Sequence, residues 1–356
     1  MRMTFSRSMM VLAAAVSLTC TSLQAAFVLP VKEYTKPDEG IVVKFVNEKG
    51  DEGKKAVDAL GADAGKLDAL FTPAPAADIA GADGAPAFKL FTASGEEIKL
   101  DPLAKPTAEG TVDLAAAYPK LKEGGTFFLV WKDAPPLVIE TMFNPGRGPK
   151  ELARVKTQID ALPPDQKKQA LGSYSPVITH IEIASYAEIK TDKGVIKAKF
   201  SYDLAPHTVD NFVTLARQNF YDGSAFHRVI TGFMIQGGDA YANSPDLAGM
   251  GGPGYDITDE FSDKKHVKGV LSMANSGRPN TSGSQFFIMH GQNTNLDGGY
   301  NAFGDVFEGI EVVDTIATTT VVDKSASGNG KVTGAKPKII SIRILPATAQ
   351  IYGLKK

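Results

Sequence analysis

The chain has 356 residues, 43% hydrophobic and 22% charged, with 38 Lys plus Arg against 40 Asp plus Glu and a formal net charge of −2. This is the profile of a globular chain of about two domains, and the balanced charge excludes a broadly basic face for nucleic acid. A single cysteine excludes a disulfide within the chain.

The first element in chain order is a leader. Arg2 and Arg7 precede an apolar run from Met9 to Leu18, and LQAA at 23–26 supplies small residues for cleavage. These are the parts of a secretory signal peptide over 1–26, and the run is too short to span a bilayer. Cleavage is expected near Ala25 or Ala26. Cys20 offers an alternative, a lipid anchor, although Ser17-Leu18-Thr19 matches a lipobox poorly. Loss of residues 1–25 takes both of those arginines and the only cysteine, leaving 36 basic against 40 acidic side chains, about −4. The expected location is outside the cytoplasm, in the periplasm, where a chain without thiols is insensitive to redox change.

Residues 27–143 read as a small β-rich domain, a candidate sandwich of unknown role. IVVKFV (41–46), FKLF (88–91), EEIKL (96–100), TFFLVW (126–131) and PLVIE (136–140) are strand-like, with a turn at Ser94-Gly95. AVDALGADAGKLDALF (56–71) reads as a short helix, and Trp131 as core. NPGRGP (144–149) is a linker. Leu152, Val155 and Ile159 have helical spacing, ended by Pro163-Pro164, and DQKKQAL (165–171) is a second short helix. Residues 144–176 are therefore expected to form a linker and helical connector.

A further domain is expected over 177–347, followed by a tail at 348–356. THIEIAS (179–185) and GVIKAKFSY (194–202) alternate as strands do, with Ile196, Ala198 and Phe200 on one face and Lys197 and Lys199 on the other. LAPHTVDNFVTLARQNF (204–220) is a helix with Pro206 in its first turn and a stripe of Val209, Phe212, Val213 and Ala216. GVLSMA (269–274), SQFFIM (284–289), NAFGDVF (301–307) and KIISIRIL (338–345) are strand-like, and GIEVVDTIA (309–317) is a second helix. Many strands with two helices point to a closed β-barrel capped by helices.

Several patterns carry less than they suggest. GMGGPG (249–254) fits a dinucleotide fingerprint literally, yet no strand precedes it and no helix follows, so it reads as a glycine-rich surface loop. Asp256, Asp259, Glu260 and Asp263 read as a solvated acidic loop. The histidines at 180, 207, 227, 266 and 290 have no ligand spacing, so no metal or cofactor is expected, and His227 reads as structural. The stretch FHRVITGFMIQGGD (226–239) stands apart, because it sets Arg228 and Gln236 among Phe226, Phe233, Met234 and Ile235. An arginine is seldom buried without a partner.

That stretch, GVLSMANSGRPNTSGSQFFIM (269–289) and NLDGGYNAFGDVFEG (295–309) together resemble the cyclophilins, a family of peptidyl-prolyl cis–trans isomerases. The resemblance spans roughly 177–347 and leaves 27–176 outside. It implies a mainly β fold, an eight-stranded antiparallel barrel capped by two helices. It also implies an active groove with Arg228 as the catalytic residue. Phe233, Met234, Gln236, Ala274, Asn275, Gln285, Phe287, Leu296 and Tyr300 would bind substrate, Tyr300 standing where the family usually has histidine. Asn295 stands where many eukaryotic members have a tryptophan that helps to bind cyclosporin, which implies weaker cyclosporin binding and a bacterial member. The implied function is rotation of X–Pro bonds in proline-containing exported polypeptides, unfolded or folding. The alternatives are a non-catalytic module that binds proline segments, and an envelope scaffold directed by the N-terminal domain.

Overall fold

The computed structural model describes residues 26–36, 39–48, 71–81, 85–100, 106–118, 121, 124–143, 161, 163, 178–325 and 329–355. The leader with Cys20, nearly all of the helix expected over 56–71 and almost the whole connector of 144–176 lie outside the described residues.

Two antiparallel sheets build the N-terminal region. One contains β1 (Ala26–Pro30), β3 (Val42–Glu48), β4 (Phe71–Pro73) and β7 (Thr111–Asp113), with β3 pairing to the other three. The other runs in the order β2 (Tyr34–Thr35), β10 (Ile178–Ile183), β9 (Leu137–Phe143), β8 (Gly125–Trp131), β5 (Phe88–Thr92), β6 (Glu97–Ile98). Short helices α1 (Ala76–Ala80) and α2 (Leu114–Ala117) connect them. The sheets face each other across Val43, Phe45, Phe88, Leu90, Leu129 and Trp131. Trp131 is fully buried, edge-on to Phe45 at 5.1 Å, and its indole N–H donates to Asp78 O at 3.2 Å. This is the expected sandwich.

One boundary differs from the expectation. THIEIAS, read as the opening strand of the second domain, is divided. Residues 178–183 pair with β9, and Ile181 faces the sandwich core. Only at Ser185 does the chain enter the next sheet. Alternation within a single run cannot say which of two neighbouring sheets the run joins, because both offer an apolar face.

The C-terminal sheet has eight antiparallel strands. They are β11 (Ser185–Thr191), β12 (Gly194–Phe200), β13 (Arg228–Ile230), β14 (Met234–Gly237), β15 (Val270–Met273), β16 (Phe286–Met289), β17 (Ala302–Glu308) and β18 (Ile339–Pro346). Their order is β13-β14-β16-β15-β17-β12-β11-β18. The residues ahead of β13 close the sheet on itself: Ala225 bridges Lys338, and Phe226 N donates to Pro337 O at 2.9 Å. Inside lie Phe212, Phe226, Phe286 and Phe303, all fully buried.

Helices α3 (Pro206–Arg217) and α4 (Ile310–Thr319) cap the barrel. Pro206 occupies the first turn of α3, and its buried face carries Val209, Phe212, Val213 and Ala216 as the spacing predicts. No side chain of its own caps the helix. Glu260 does so from a distant loop, accepting from His207 N, Thr208 N and Thr208 Oγ1 at 3.1, 2.7 and 2.7 Å. Glu260 is 1% exposed, so the reading of this acidic stretch as solvated is corrected at Glu260. Its carboxylate answers backbone donors that a helix start leaves unpaired. Burial pushes its pKa up to about 8 against the pull of those donors.

Barrel and sandwich share a core. The outer face of the six-stranded sheet presents Phe91, Phe128, Val130 and Val138 to the barrel. The C-terminal tail fills the seam: the Tyr352 ring lies 5.1 Å from Phe128, and its hydroxyl donates to Ser185 O at 2.7 Å.

Candidate active site

β13 and β14 form a hairpin whose turn contains Gly232, at φ +81°, a conformation that costs glycine little. Its register sets Arg228 directly opposite Gln236. The two side chains therefore emerge together, and Arg228 Nη1 donates to Gln236 Oε1 at 3.0 Å. Gln236 Nε2 donates to Gln285 Oε1 at 3.0 Å. Gln285 Nε2 donates in turn to the carbonyls of Gly249 and Gly251, at 3.0 and 2.8 Å.

The other side of the guanidinium is held by Asn329. Arg228 Nε donates to Asn329 O and Nη2 to Asn329 Oδ1, each at 2.9 Å. Three of the five N–H groups are thus engaged, and two remain. Arg228 is half-buried. Burial lowers its pKa from the ordinary value, but an arginine keeps its charge in proteins.

Beside the fork lies an apolar wall. Met234, Val270, Phe287, Met289, Leu296 and Ala302 are buried together, with Phe233, Ala274 and Tyr300 half-buried against them. Phe287 meets Tyr300 edge-on at 5.7 Å. His266 stacks on Phe287 at 6.0 Å and is itself fixed by Asp297 Oδ1 at Nδ1 and Ser272 Oγ at Nε2, both 3.2 Å. Burial lowers the His266 pKa, against the pull of Asp297. Asn275 lies past the last ladder bond, Ala274 N to Gln285 O at 2.9 Å. Its side chain ties two loops together, Nδ2 donating to Gly299 O, 24 residues on, and Oδ1 accepting from Gly277 N.

These residues enclose a groove of about 340 Å³. Arg228, Phe233, Met234, Gln236, Ala274, Asn275, Phe287, Leu296 and Tyr300 line it. Gln285 does not, and acts behind Gln236. Ala248, Gly249, Asn329, Lys331 and His227 also line it and were not expected there as groove residues. Asn329 sits 101 residues from Arg228, in a stretch whose Asn-Gly pair signals only a turn. His227 is 5% exposed, with Nδ1 4.0 Å from Asp239 Oδ2. The GMGGPG stretch is a loop folded over Asp239, whose carboxylate accepts from the backbone N–H of Tyr241, Gly249 and Gly251 at 2.9, 2.5 and 2.7 Å. A β-carbon on Gly251 would strike Asp239.

An always-charged fork braced on both sides thus lies beside an apolar wall in one groove. A family model described as cyclophilin type peptidyl-prolyl cis-trans isomerase/CLD matches residues 186–343. A peptidyl-prolyl cis-trans isomerase of Synechococcus elongatus is 52% identical over 118 residues, covering 33% of this chain and 77% of that protein. One from Helicobacter pylori is 44% identical over 143 residues, 39% of this chain and 84% of that protein. The crystal structure of a Cryptosporidium parvum cyclophilin type isomerase, determined in the presence of the dipeptide Ala-Pro, aligns over 45% of this chain and 98% of its own, with 33% identity and a TM-score of 0.40.

The chain belongs to the cyclophilin-type peptidyl-prolyl cis–trans isomerases. It is a prolyl isomerase with an additional N-terminal β-rich region that the family match does not include.

Proposed function

We propose that Arg228 drives the isomerisation by donating a hydrogen bond to the prolyl nitrogen as the X–Pro bond twists. The planar amide resists rotation by roughly 18–20 kcal/mol, because rotation breaks its resonance. In the twisted state the nitrogen lone pair localises and becomes an acceptor, so a donor placed there binds the transition state better than either planar state. No covalent intermediate is needed.

The observation that carries this reading is the bracing of the guanidinium by Gln236 and Asn329, with two N–H groups left over. A donor fixed in advance pays no reorganisation during the reaction. Phe233, Met234, Phe287 and Leu296 supply the dry shelf that holds the proline ring, and Ala274 and Tyr300 bound it. Gln236, backed by Gln285, aligns the fork, and the main chain at Asn275 grips the substrate backbone. His227 is structural.

The substrates are proline-containing polypeptides folding outside the cytoplasm, on the strength of the leader features in residues 1–26. No helix among the described residues is long and apolar enough to cross a membrane. Mass spectrometry of the mature N-terminus tests the export reading: a chain retaining Met1 would end it, and a lipidated Cys20 would replace free release by anchoring.

The catalytic reading is tested with an Ala-Pro peptide, by NMR exchange or protease-coupled turnover. Arg228→Ala is expected to lower kcat/KM by about 10²–10³, the usual cost of losing one preorganised donor. Turnover equal to that of the wild type would remove Arg228 from the mechanism. Wild-type turnover no faster than the uncatalysed exchange would favour a binding-only groove.

A further inference from the structure

Away from the groove, a buried polar cluster sits on the six-stranded sheet. The pairing of β10 with β9 puts His180 directly opposite Glu140. His180 Nδ1 is 2.8 Å from Glu140 Oε2, and Nε2 is 3.7 Å from Glu33 Oε1. Glu182 lies two residues along β10, on the same face as His180. One ligand atom from each of Glu140, His180 and Glu182 can be chosen so that all three lie within 4.8 Å of one another. Glu140 is 3% exposed and His180 1%. The ring of Tyr34 stacks on the imidazole at 4.7 Å and 15°, fixing its plane.

Two features separate this cluster from an ordinary ion pair. The second oxygen of Glu140, Oε1, is buried and accepts no hydrogen bond among the described residues. A buried carboxylate oxygen without a donor is costly. Three carboxylates, those of Glu33, Glu140 and Glu182, also gather on the one imidazole of His180.

We propose that Glu140, His180 and Glu182 bind one divalent transition-metal ion of the zinc class on the six-stranded sheet. One imidazole with two carboxylates is a donor set that zinc accepts, whereas calcium and magnesium prefer oxygen alone. The ion takes Nδ1, the nitrogen facing Glu140, and replaces the proton shared there. Nε2–H then points to Glu33, the outer carboxylate that typically orients a metal-bound imidazole. Glu140 and Glu182 neutralise the ion, and Oε1 gains the partner it lacks. Ligands at 2.0–2.2 Å from zinc would stand roughly 3.3 Å apart, so the three side chains close inward on binding. The ligands come from strands 40 residues apart, which is why histidine spacing along the chain does not reveal them.

The test uses the full chain after exhaustive chelation, with Zn²⁺ and Co²⁺ alone as probes. Calorimetry is expected to show one Zn²⁺ per chain, with protons released and affinity falling toward acid pH. Co²⁺ should give visible bands of a protein-bound ion, and Zn²⁺ should raise the Tm. Glu182→Gln should weaken Zn²⁺ at least about tenfold and abolish the Tm rise, with unchanged circular dichroism and unchanged isomerase turnover. Glu33→Gln should weaken Zn²⁺ by about 10-fold to 100-fold, as loss of an outer-shell partner does. His180→Gln should abolish binding; where that variant does not fold, the two glutamine variants at 182 and 33 decide the matter. No Zn²⁺ uptake by wild type, or uptake that Glu182→Gln leaves within threefold, would overturn the site.

Discussion

Replacing Arg228 by lysine keeps the positive charge and removes the fork, so it separates two explanations of the groove. The guanidinium makes bonds of 2.9, 2.9 and 3.0 Å to Asn329 O, Asn329 Oδ1 and Gln236 Oε1, with two N–H groups to spare. An ammonium has three protons on one rotatable nitrogen, and it cannot reach acceptors on opposite sides while still presenting a donor to the substrate. A preorganised donor contributes about 2.7–4 kcal/mol to such a transition state. A lysine that retained half of this would lose roughly 1.4–2 kcal/mol, a factor of about 10 to 30. We expect kcat/KM for an Ala-Pro peptide to fall at least tenfold in Arg228→Lys, with KM little changed and unfolding midpoint near that of the wild type. Turnover within threefold of wild type would refute the reasoning, because charge alone, without fixed direction, would then suffice.

Glu260→Ala should leave Thr208 N and Thr208 Oγ1 buried without their acceptor, at a cost of about 1–3 kcal/mol per such group; a urea midpoint equal to wild type would show that the cap is dispensable. His266 has its folded pKa lowered by burial, so the unfolded chain takes up the proton more readily, and the stability it contributes above about pH 6.5 is lost as pH falls through the folded value. His227 shares that sign, while the raised His180 has the opposite one, giving stability below about pH 6.5 that is lost as pH rises. Urea midpoints at pH 7.5 and 5.5 should therefore drop less in His266→Gln than in wild type, and equal drops would count against the assignment. Asn295 is exposed at the groove end, beside buried Leu296; Asn295→Trp should strengthen inhibition by cyclosporin without changing turnover, and equal inhibition of the two proteins would remove this position from that difference.

How much of this was readable in advance follows the range of each interaction. The strands at 194–202, 269–274, 284–289 and 301–307, the helix of α3 and the burial of Trp131 all appear close to where alternation and spacing put them. Each is decided by neighbours a few residues away. The groove residues were read from the resemblance of three short blocks to the cyclophilins rather than from alternation, and the pairing of β14 with β16 joins two of those blocks.

What alternation could not express was partnership between distant segments. It could not give residues 178–183 to the sandwich, or make Glu260 the cap of a helix more than 50 residues earlier. Nor could it set Asn329 against Arg228, or gather Glu140, His180 and Glu182 on one face. By itself the chain determined which side chains are apolar, which are charged and at what period they recur, because those follow from covalent order. Only the closed barrel and the sandwich packed on it decided which charges meet, because a buried polar group must take whatever partner the packing brings within about 3 Å.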